Sequence, residues 1–312
     1  VLMIITFGFA YNSVQSNTIC LAWQKAFGIE PATMGIALTV LTLLIIFGGI
    51  HRVAKFSSTV VPVMAVIYLL IAVGVVVWNI TSLPKVLLTI VENAFGFNQA
   101  AGGVLGVTVI QGIKRGLFSN EAGEGSAPNA AAVATVSHPV KQGLIQALGV
   151  FTDTLVVCSC TAFIILVSGV DLTASNGIQL TQDALTHEIG SIGNPFVAVM
   201  IWLFAFSSII GNYYYGETNV RYIRDSKLGV FVYRLAVAAM VMVGAVVSLD
   251  FAWSFADITM ALLTLCNLAA IVLLSRQAVF LLKDYRQQKK EGKNPVFTKD
   301  KMPEIADKLE AW

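Results

Sequence analysis

The residues best suited to chemistry lie together in one short stretch, GLFSNEAGEGSAP, at positions 116–128. Four ionisable residues fall within eleven positions in or just before it, together with an amide and two hydroxyls: Lys114, Arg115, Glu121, Glu124, Ser119, Asn120 and Ser126. Three glycines let a ligand approach the backbone closely. The stretch predicts a binding site in which the charged residues act in gating or coupling.

The chain around this stretch is strongly apolar. Of its 312 residues, 56% are hydrophobic and only 12% are charged, and the mean hydropathy is +0.77. These values lie outside the range of soluble globular proteins and predict an all-α polytopic membrane protein whose main partner is the bilayer. The net charge of +2 gives no signal for nucleic acid.

Eight segments are long and apolar enough to cross a bilayer core of ~30 Å. They are 1–23, 33–50, 57–79, 97–136, 145–169, 195–216, 229–248 and 253–276. We predict a transmembrane domain over 1–282, followed by a solvated tail over 283–312 whose lysines fix the topology or contact lipid headgroups.

The basic residues predict the orientation of the spans. If the chain changes sides at each span, the connections 51–56, 137–143 and 217–228 share one side with the tail. That side or its boundary carries 16 of the 20 Lys and Arg residues. The positive-inside rule then predicts a plasma (inner) membrane protein with a cytoplasmic C-terminus.

The fourth segment is about twice as long as one crossing requires. Its glycines weaken a helix, and its Ser and Asn side chains compete for backbone hydrogen bonds. We predict half-helices over 100–118 and 127–136, separated by an unwound segment over 119–126. An irregular backbone at membrane depth usually lines a cavity, as in the broken helices of secondary transporters. The alternative is an ordinary cytoplasmic loop in which the glycines allow close helix packing.

The stretch RGLFSNEAGEGSAPNAAA at 115–132 closely resembles the signature of the alanine or glycine:cation symporter family, the sodium:alanine symporters. The resemblance continues along the whole chain in the order that the family shows. Further matching segments are NSVQSN at 12–17, IIFGGIHRVAKFSSTVVPVMAVIYLL at 45–70, HPVKQGL at 138–144, VFTDTLVVCSCTAFIIL at 150–166, FAFSSIIGNYYYGE at 204–217 and ADITMALLTLCNLAAIVLLS at 256–275.

The resemblance implies a leucine-transporter-type fold of two five-helix inverted repeats with broken first and sixth helices. The eight spans would be core helices three to ten. Because the chain opens with VLMIITFGFAYN, without an initiator Met or a charged leader, we expect its N-terminus to be missing. The implied activity is symport of alanine or glycine with Na⁺ by alternating access, with no organic cofactor and no enzymatic reaction. Coupling to H⁺ or transport of another amino acid is the alternative.

Residue roles also follow from the resemblance. The substrate site would include Phe118 as an aromatic wall, together with Ser119, Asn120, Gly123, Gly125 and Asn212. The adjacent hydroxyls of Ser207 and Ser208 would coordinate Na⁺, which as a hard cation prefers oxygen ligands. Two positions depart from the family pattern: Asn212, where many members carry Trp, and Glu124, where an apolar residue is also common.

Other polar residues lie inside or near the spans. Asp153 is predicted to pair with Lys114, Arg115 or a gate residue, with ion binding as the weaker alternative. Interhelical hydrogen bonds are predicted for Gln15, Asn17 and Asn267.

Two other classes of function are less compatible with the sequence. An intramembrane serine hydrolase would need Ser119 or Ser126 to act with His138, but no nucleophile elbow surrounds either serine. A channel would need a continuous pore, whereas one interrupted helix among asymmetric spans favours alternating access.

Overall fold

The computed structural model describes residues 1–48, 50–95 and 102–309, and this part of the chain contains helices but no strand. The α-helices are α1 Leu2–Ile5, α2 Asn12–Phe27, α3 Pro31–Ile46, α4 Ile50–Trp78, α5 Leu83–Ala94, α6 Gly102–Asn120, α7 Ser126–Ala131, α8 Pro139–Thr152, α9 Ser159–Ser168, α10 Ile178–Ile189, α11 Gly193–Ile223, α12 Lys227–Val246 and α13 Leu249–Lys290. Two π-helical segments, Thr6–Tyr11 and Asp153–Cys158, join α1 to α2 and α8 to α9.

Within the described residues, each predicted span contains helix, and the residues at the helix ends explain several boundaries. The first ends where Gly28 adopts a left-handed conformation and its N–H binds the carbonyl of Gln24. The next begins at Pro31, whose missing N–H costs nothing in a first turn. The connections predicted over 80–96 and 170–194 also contain helices, α5 and α10.

The main hydrophobic core lies between α2, α3, α11 and α12. Its fully buried side chains include Ile19 of α2 and Phe206 of α11, with Val241 of α12 against them. Small residues bring the helices together: a methyl group on Gly244 would lie 2.5 Å from the main chain of Ser13. Close contact at small residues is the usual way in which membrane helices associate.

Polar side chains of α2 bind the backbone of α12 across this core. Ser16 donates to the carbonyl of Val241 at 2.6 Å. The amide of Asn17 donates to Gly244 at 3.0 Å and to Val247 at 2.8 Å. The predicted interhelical role of Asn17 is therefore confirmed.

Length and apolar composition qualify four helical segments of the described chain as membrane spans: Pro139–Ser168, Ile178–Ile223, Lys227–Val246 and Leu249–Lys290. A bent pair, Pro62–Trp78 with Leu83–Ala94, makes a fifth if it is counted as one span. Their outer faces are apolar, as shown by Val272 and Leu273 of α13 at 70% and 78% exposure. This pattern is that of a multi-pass membrane protein, while the number of eight spans stays a prediction.

The break in the fourth span is present, with different bounds. Helix α6 continues through Ser119 to Asn120, so that the non-helical segment is 121–125. Helix α7 occupies only Ser126–Ala131, whereas the prediction extended this half-helix to 136. The N–H of Ala132 still binds the carbonyl of Pro128, whereas the N–H of Ala134 binds that of Ala131 in a turn that leads toward α8. Residues 96–101 lie outside the described residues, so the start predicted at 100 is not described.

Most described residues of the tail are exposed, in line with the predicted solvated extension, but the tail also docks against the rest of the protein. Phe297 is buried, and its N–H donates to the carbonyl of Ser137 at 2.9 Å. Lys301 pairs with Asp284 of α13 at 2.9 Å. By folding back, the tail covers apolar surface and forms a hydrogen bond with the backbone between α7 and α8. Its many charged residues gave no indication of this docking in the sequence.

His138 lies in this docked region and not in an exposed loop. It is fully buried; its Nε2 lies 3.1 Å from Asp284, and its Nδ1 accepts a hydrogen bond from the N–H of Val140. Both ring nitrogens are therefore engaged away from Ser119 and Ser126. This arrangement removes the Ser–His pair that a hydrolase would require.

Candidate functional site

The backbone of the break between α6 and α7 is held open by three residues with positive φ. Gly123 and Gly125 have φ of 78° and 83°, and Glu121 has φ of 48°. Positive φ costs a non-glycine residue free energy and often marks a functional site. The amide of Asn267 in α13 donates to the carbonyl of Gly123 at 2.8 Å, which confirms its predicted interhelical bond. The break is thus fixed from outside as well as permitted by glycine.

Phe118 belongs to an aromatic column that ends at a cation. Its ring centroid lies 4.6 Å from that of Tyr11 and 4.8 Å from that of Trp253. The guanidinium of Arg115 lies over the other end of the column, 4.0 Å from the centroid of the Trp253 ring. Such contacts are attractive, and they hold Phe118 against the π-helical segment Thr6–Tyr11 and against α13.

The two basic residues of α6 both pair with one acid of α13. Lys114 lies 3.3 Å from Asp257, and Arg115 makes a shorter ion pair with the same carboxylate. The pairing of Lys114 or Arg115 with Asp153 that the sequence suggested is therefore wrong, because Asp257 is the acid that α13 brings beside them. These ion pairs connect the broken helix to α13.

Asp153 instead contacts the end of α6. It is the first residue of the π-helical segment Asp153–Cys158, which runs beside α6. The hydroxyl of Ser119 donates to the Asp153 carboxylate at 2.5 Å. The hydroxyl of Thr154 in turn donates to the amide oxygen of Asn120. π-Helical turns inside α-helices are frequent at functional sites. Two predicted substrate-binding residues thus bind the same polar turn.

The two glutamates of the break have different surroundings. Glu121 accepts a hydrogen bond from the hydroxyl of Ser126, which begins α7. Glu124 is fully buried, and its Oε1 accepts a hydrogen bond from the hydroxyl of Tyr11 at 2.7 Å. Its Oε2 is also buried and has no hydrogen-bond partner. The departure at Glu124 thus places a carboxyl group in the interior of the protein.

Ser207 and Ser208 lie together in the middle of α11, and both donate to the carbonyl of Phe204. Each hydroxyl has its proton directed into its own helix, so its lone pairs remain available to an ion. Asn212 lies one turn further along the same helix, where it is buried and its Nδ2 has no hydrogen-bond partner. These three residues occupy α11, whereas the other predicted site residues surround the break.

An open cavity of about 490 Å³ borders the break. Its wall includes Glu124 and Gly125, and three amides contribute polar groups: Asn129, Asn219 and Asn267. The amide of Asn219 donates to the side-chain oxygen of Asn129 at 3.1 Å, which connects α11 to α7. The rest of the wall is residues 1–3, Leu263 and Cys266, so the cavity has mixed polarity and its amides can bind ordered water.

Sequence reasoning missed three members of this site: Tyr11, Trp253 and Asp257. Asp257 carried a usable signal, because an acidic residue inside a predicted span is costly and usually marks function. The aromatic residues carried none, because a Tyr or Trp in an apolar segment is most often part of the core. Tyr11 and Trp253 are identified only by the packing of the π-helical segment Thr6–Tyr11 and of α13 onto α6.

Comparison with known proteins identifies the family of this chain. The model of the sodium:alanine symporter family matches residues 1–299. The chain belongs to the sodium:alanine symporter family. The family is one of transporters, not enzymes, and its name specifies coupling to sodium.

Relatives with named activities agree with this membership. The chain is 54% identical to the probable sodium/glutamine symporter GlnT of Bacillus subtilis (strain 168) over 96% of its residues and 63% of the relative. It is 51% identical to the amino-acid carrier protein AlsT of the same organism, over 100% of the chain and 67% of the relative.

A more distant relative is the sodium/alanine symporter AgcS of Methanococcus maripaludis, which is 35% identical over 91% of the chain and 63% of the relative. The chain thus spans 63–67% of the length of these three relatives.

Proposed function

We propose that the protein carries a small neutral amino acid, alanine or glycine, across the plasma (inner) membrane together with Na⁺. The observation that carries this proposal is the break between α6 and α7, with its strained Glu121 and two left-handed glycines. Open backbone at membrane depth can bind a zwitterion where a continuous helix cannot. Family membership supports sodium as the coupling ion.

The substrate site is proposed around the end of α6 and the break. Ser119 and Asn120 supply polar side chains, and Gly123 and Gly125 let the backbone approach the amine and carboxylate of the substrate. Phe118 forms a wall that limits side-chain size, because Tyr11 and Trp253 hold its ring on two sides. Asn212 is proposed to complete the pocket from α11.

Na⁺ is proposed to bind Ser207 and Ser208. Both hydroxyls donate to the carbonyl of Phe204, so their oxygen lone pairs face away from that bond. Hydroxyl oxygens suit a hard cation, and further oxygen ligands would complete its coordination.

The cycle is proposed to be alternating access in a leucine-transporter-type inverted-repeat fold. Residues 1–282 would form the moving transmembrane domain, and 283–312 a tail on the cytoplasmic side. The ion pairs of Lys114 and Arg115 with Asp257, and the bond of Ser119 to Asp153, join the broken helix to its neighbours. We propose that these contacts, with Glu121 and Glu124, rearrange when the substrate binds and one helix bundle rocks against the rest.

Glutamine is a second candidate substrate. A relative that is 54% identical is named a probable sodium/glutamine symporter. Asn212, which replaces a Trp common in the family, is smaller and leaves its Nδ2 without a partner. An unpaired buried amide would be satisfied by the side-chain amide of glutamine.

Uptake by the purified full-length protein in liposomes tests these proposals. We expect radiolabelled alanine to accumulate only with an inward sodium gradient, and unlabelled alanine, glycine and glutamine to rank the substrates by competition. Accumulation that ignores the sodium gradient would contradict the coupling. If none of the three amino acids is carried, the substrate proposal is wrong.

The sodium site is tested by Ser207→Ala and Ser208→Ala. Loss of an oxygen ligand should raise the sodium concentration that gives half-maximal uptake by roughly tenfold or more. Ser275→Ala is the matched control, because Ser275 also donates to a carbonyl of its own helix, that of Val272, but lies in the exposed part of α13. An equal effect of the control would show that only a helix bond was lost.

A further inference from the structure

Glu124 is the most enclosed ionisable group of the break. Its side chain is fully buried, Oε1 accepts from Tyr11 at 2.7 Å, and Oε2 has neither solvent nor a hydrogen-bond partner. An ionised carboxylate with a bare buried oxygen is strongly disfavoured. A proton on Oε2 would remove the charge and still leave Oε1 to accept from Tyr11.

The surroundings of Glu124 offer no compensating positive charge. In the described chain, no Lys, Arg or His forms an ion pair with it, and Lys114 and Arg115 of α6 pair with Asp257 instead. The N–H of Glu124 donates to the carbonyl of Glu121 at 3.2 Å, so the two acids lie in the same turn. The other ionisable groups in the described residues of this region are Tyr11, Lys114, Arg115, Asp257, Tyr215 and Cys266. A second negative charge beside Glu121 is costly, which again favours the neutral acid.

Water can reach the neighbourhood of this carboxyl. Glu124 lies in the wall of the open cavity of about 490 Å³, whose other lining residues include the amides of Asn129, Asn219 and Asn267 and the apolar side chains of residues 1–3 and Leu263. The amides can hold ordered water. The carboxyl itself is fully buried, so proton exchange with this cavity requires the break to rearrange.

We propose that Glu124 is a proton-binding site of the transport cycle. A proton from water in the cavity bonds to Oε2 and gives a neutral carboxylic acid. When the break rearranges, the O–H bond breaks, the electron pair stays on the carboxylate, and the proton returns to water. This inference rests on the proposed function, because it assigns one step of the same cycle to one residue.

Glu124→Gln in the full-length protein tests the transport role, since Gln imitates the neutral acid. In liposomes with a constant sodium gradient, the uptake rate of the unmodified protein should change by roughly tenfold between about pH 5.5 and 8.5, whereas the variant should show a flat profile and keep its sodium dependence. Glu30→Gln, at an exposed N-cap, is the matched control and should keep the original profile. A pH profile in Glu124→Gln like that of the unmodified protein overturns the proposal.

Tyr11→Phe is a second test of the same assignment. If Glu124→Gln does not fold, Glu124→Asp is used in its place. Without the Tyr11 hydroxyl, the ionised carboxylate loses its donor, so the profile should move to higher pH and not disappear. A profile unchanged in Tyr11→Phe and in the Glu124 variant contradicts the assignment.

Infrared difference spectroscopy separates this inference from the proposed function, because it requires no transport. We expect a protonated-carboxyl C=O band at neutral pH in the unmodified protein that is absent from Glu124→Gln. A band without amino-acid uptake would support the proton site and refute the substrate proposal. Sodium-driven uptake without the band would leave the proposed function in place and refute the proton site.

Discussion

The core of α2, α11 and α12 and the break between α6 and α7 both bury polar groups, but they use them differently. In the core, side chains of α2 donate to backbone carbonyls of α12, as Ser16 does to Val241. In the break, Asn267 also donates to a backbone carbonyl, that of Gly123, but the acids bind side chains, as Asp153 binds Ser119 and Glu124 binds Tyr11. A bond to backbone fixes two helices, whereas a bond between side chains can be exchanged for one to a ligand. The core is therefore the rigid scaffold of this protein, and the break is the region whose contacts can change.

The largest effect on stability is expected where two helices of the core are in closest contact. Gly244→Ala should lower the free energy of unfolding by about 2–3 kcal/mol, because the added methyl would lie 2.5 Å from main-chain atoms of Ser13 that cannot move aside. Thermal unfolding of the purified protein in detergent measures this. Gly149→Ala, with no atom within 4 Å of the added methyl, should be neutral or slightly stabilising. Equal melting temperatures for the two variants would contradict the account of the core.

The same substitution in the break should affect transport more than folding. Gly125 has φ of 83°, and an added methyl would lie 2.9 Å from the side-chain oxygen of Asn267. Gly125→Ala should cost about 1–2 kcal/mol of strain and reduce uptake by at least about tenfold. Gly116→Ala in α6, which meets no neighbour within 4 Å, is the control. Normal uptake by Gly125→Ala would show that the shape of the break is not required.

An intermediate effect is expected at the ion pairs between α6 and α13. Asp257→Asn should destabilise the protein by about 1–2 kcal/mol and slow uptake, because Lys114 and Arg115 lose the acid that they share while staying partly exposed to water. Melting temperature and uptake are the measurements. Asp250→Asn, exposed in the first turn of the same helix, is the control. If both variants behave alike, the connection between α6 and α13 does not depend on these charges.

The smallest effect on transport is expected from the tail, which binds backbone as the core does but lies away from the break. Phe297→Ala should release the tail from Ser137, so that trypsin cleaves around Lys293 roughly tenfold faster. Uptake should change by less than about twofold, since no described residue of the tail lines the cavity at the break. Val296→Ala, at a neighbouring exposed side chain, is the control. A large loss of uptake in Phe297→Ala alone would assign the tail a role in the cycle.

The position of the break could be predicted within two residues, because clustered glycines and charges in an apolar segment oppose a continuous helix on any path of the chain. The residues that contact the break could not be predicted. The acid that pairs with Lys114 and Arg115 lies 142 residues after Arg115, and the sequence analysis proposed Asp153 in its place. The docked tail was missed for a related reason: its charges indicated solvent, whereas one buried Phe297 and backbone hydrogen bonds hold it.

The amino-acid sequence by itself determined the helical membrane-protein class, the family and the location of the break, because these follow from composition, local backbone preference and motif. Tertiary structure decided which side chains surround the break. Tyr11 and Trp253 hold Phe118, Asp257 neutralises the bases of α6, and Glu124 is left with one oxygen unpaired. These contacts join the two ends of the chain, and their geometry depends on the packing of whole helices, which no local pattern specifies.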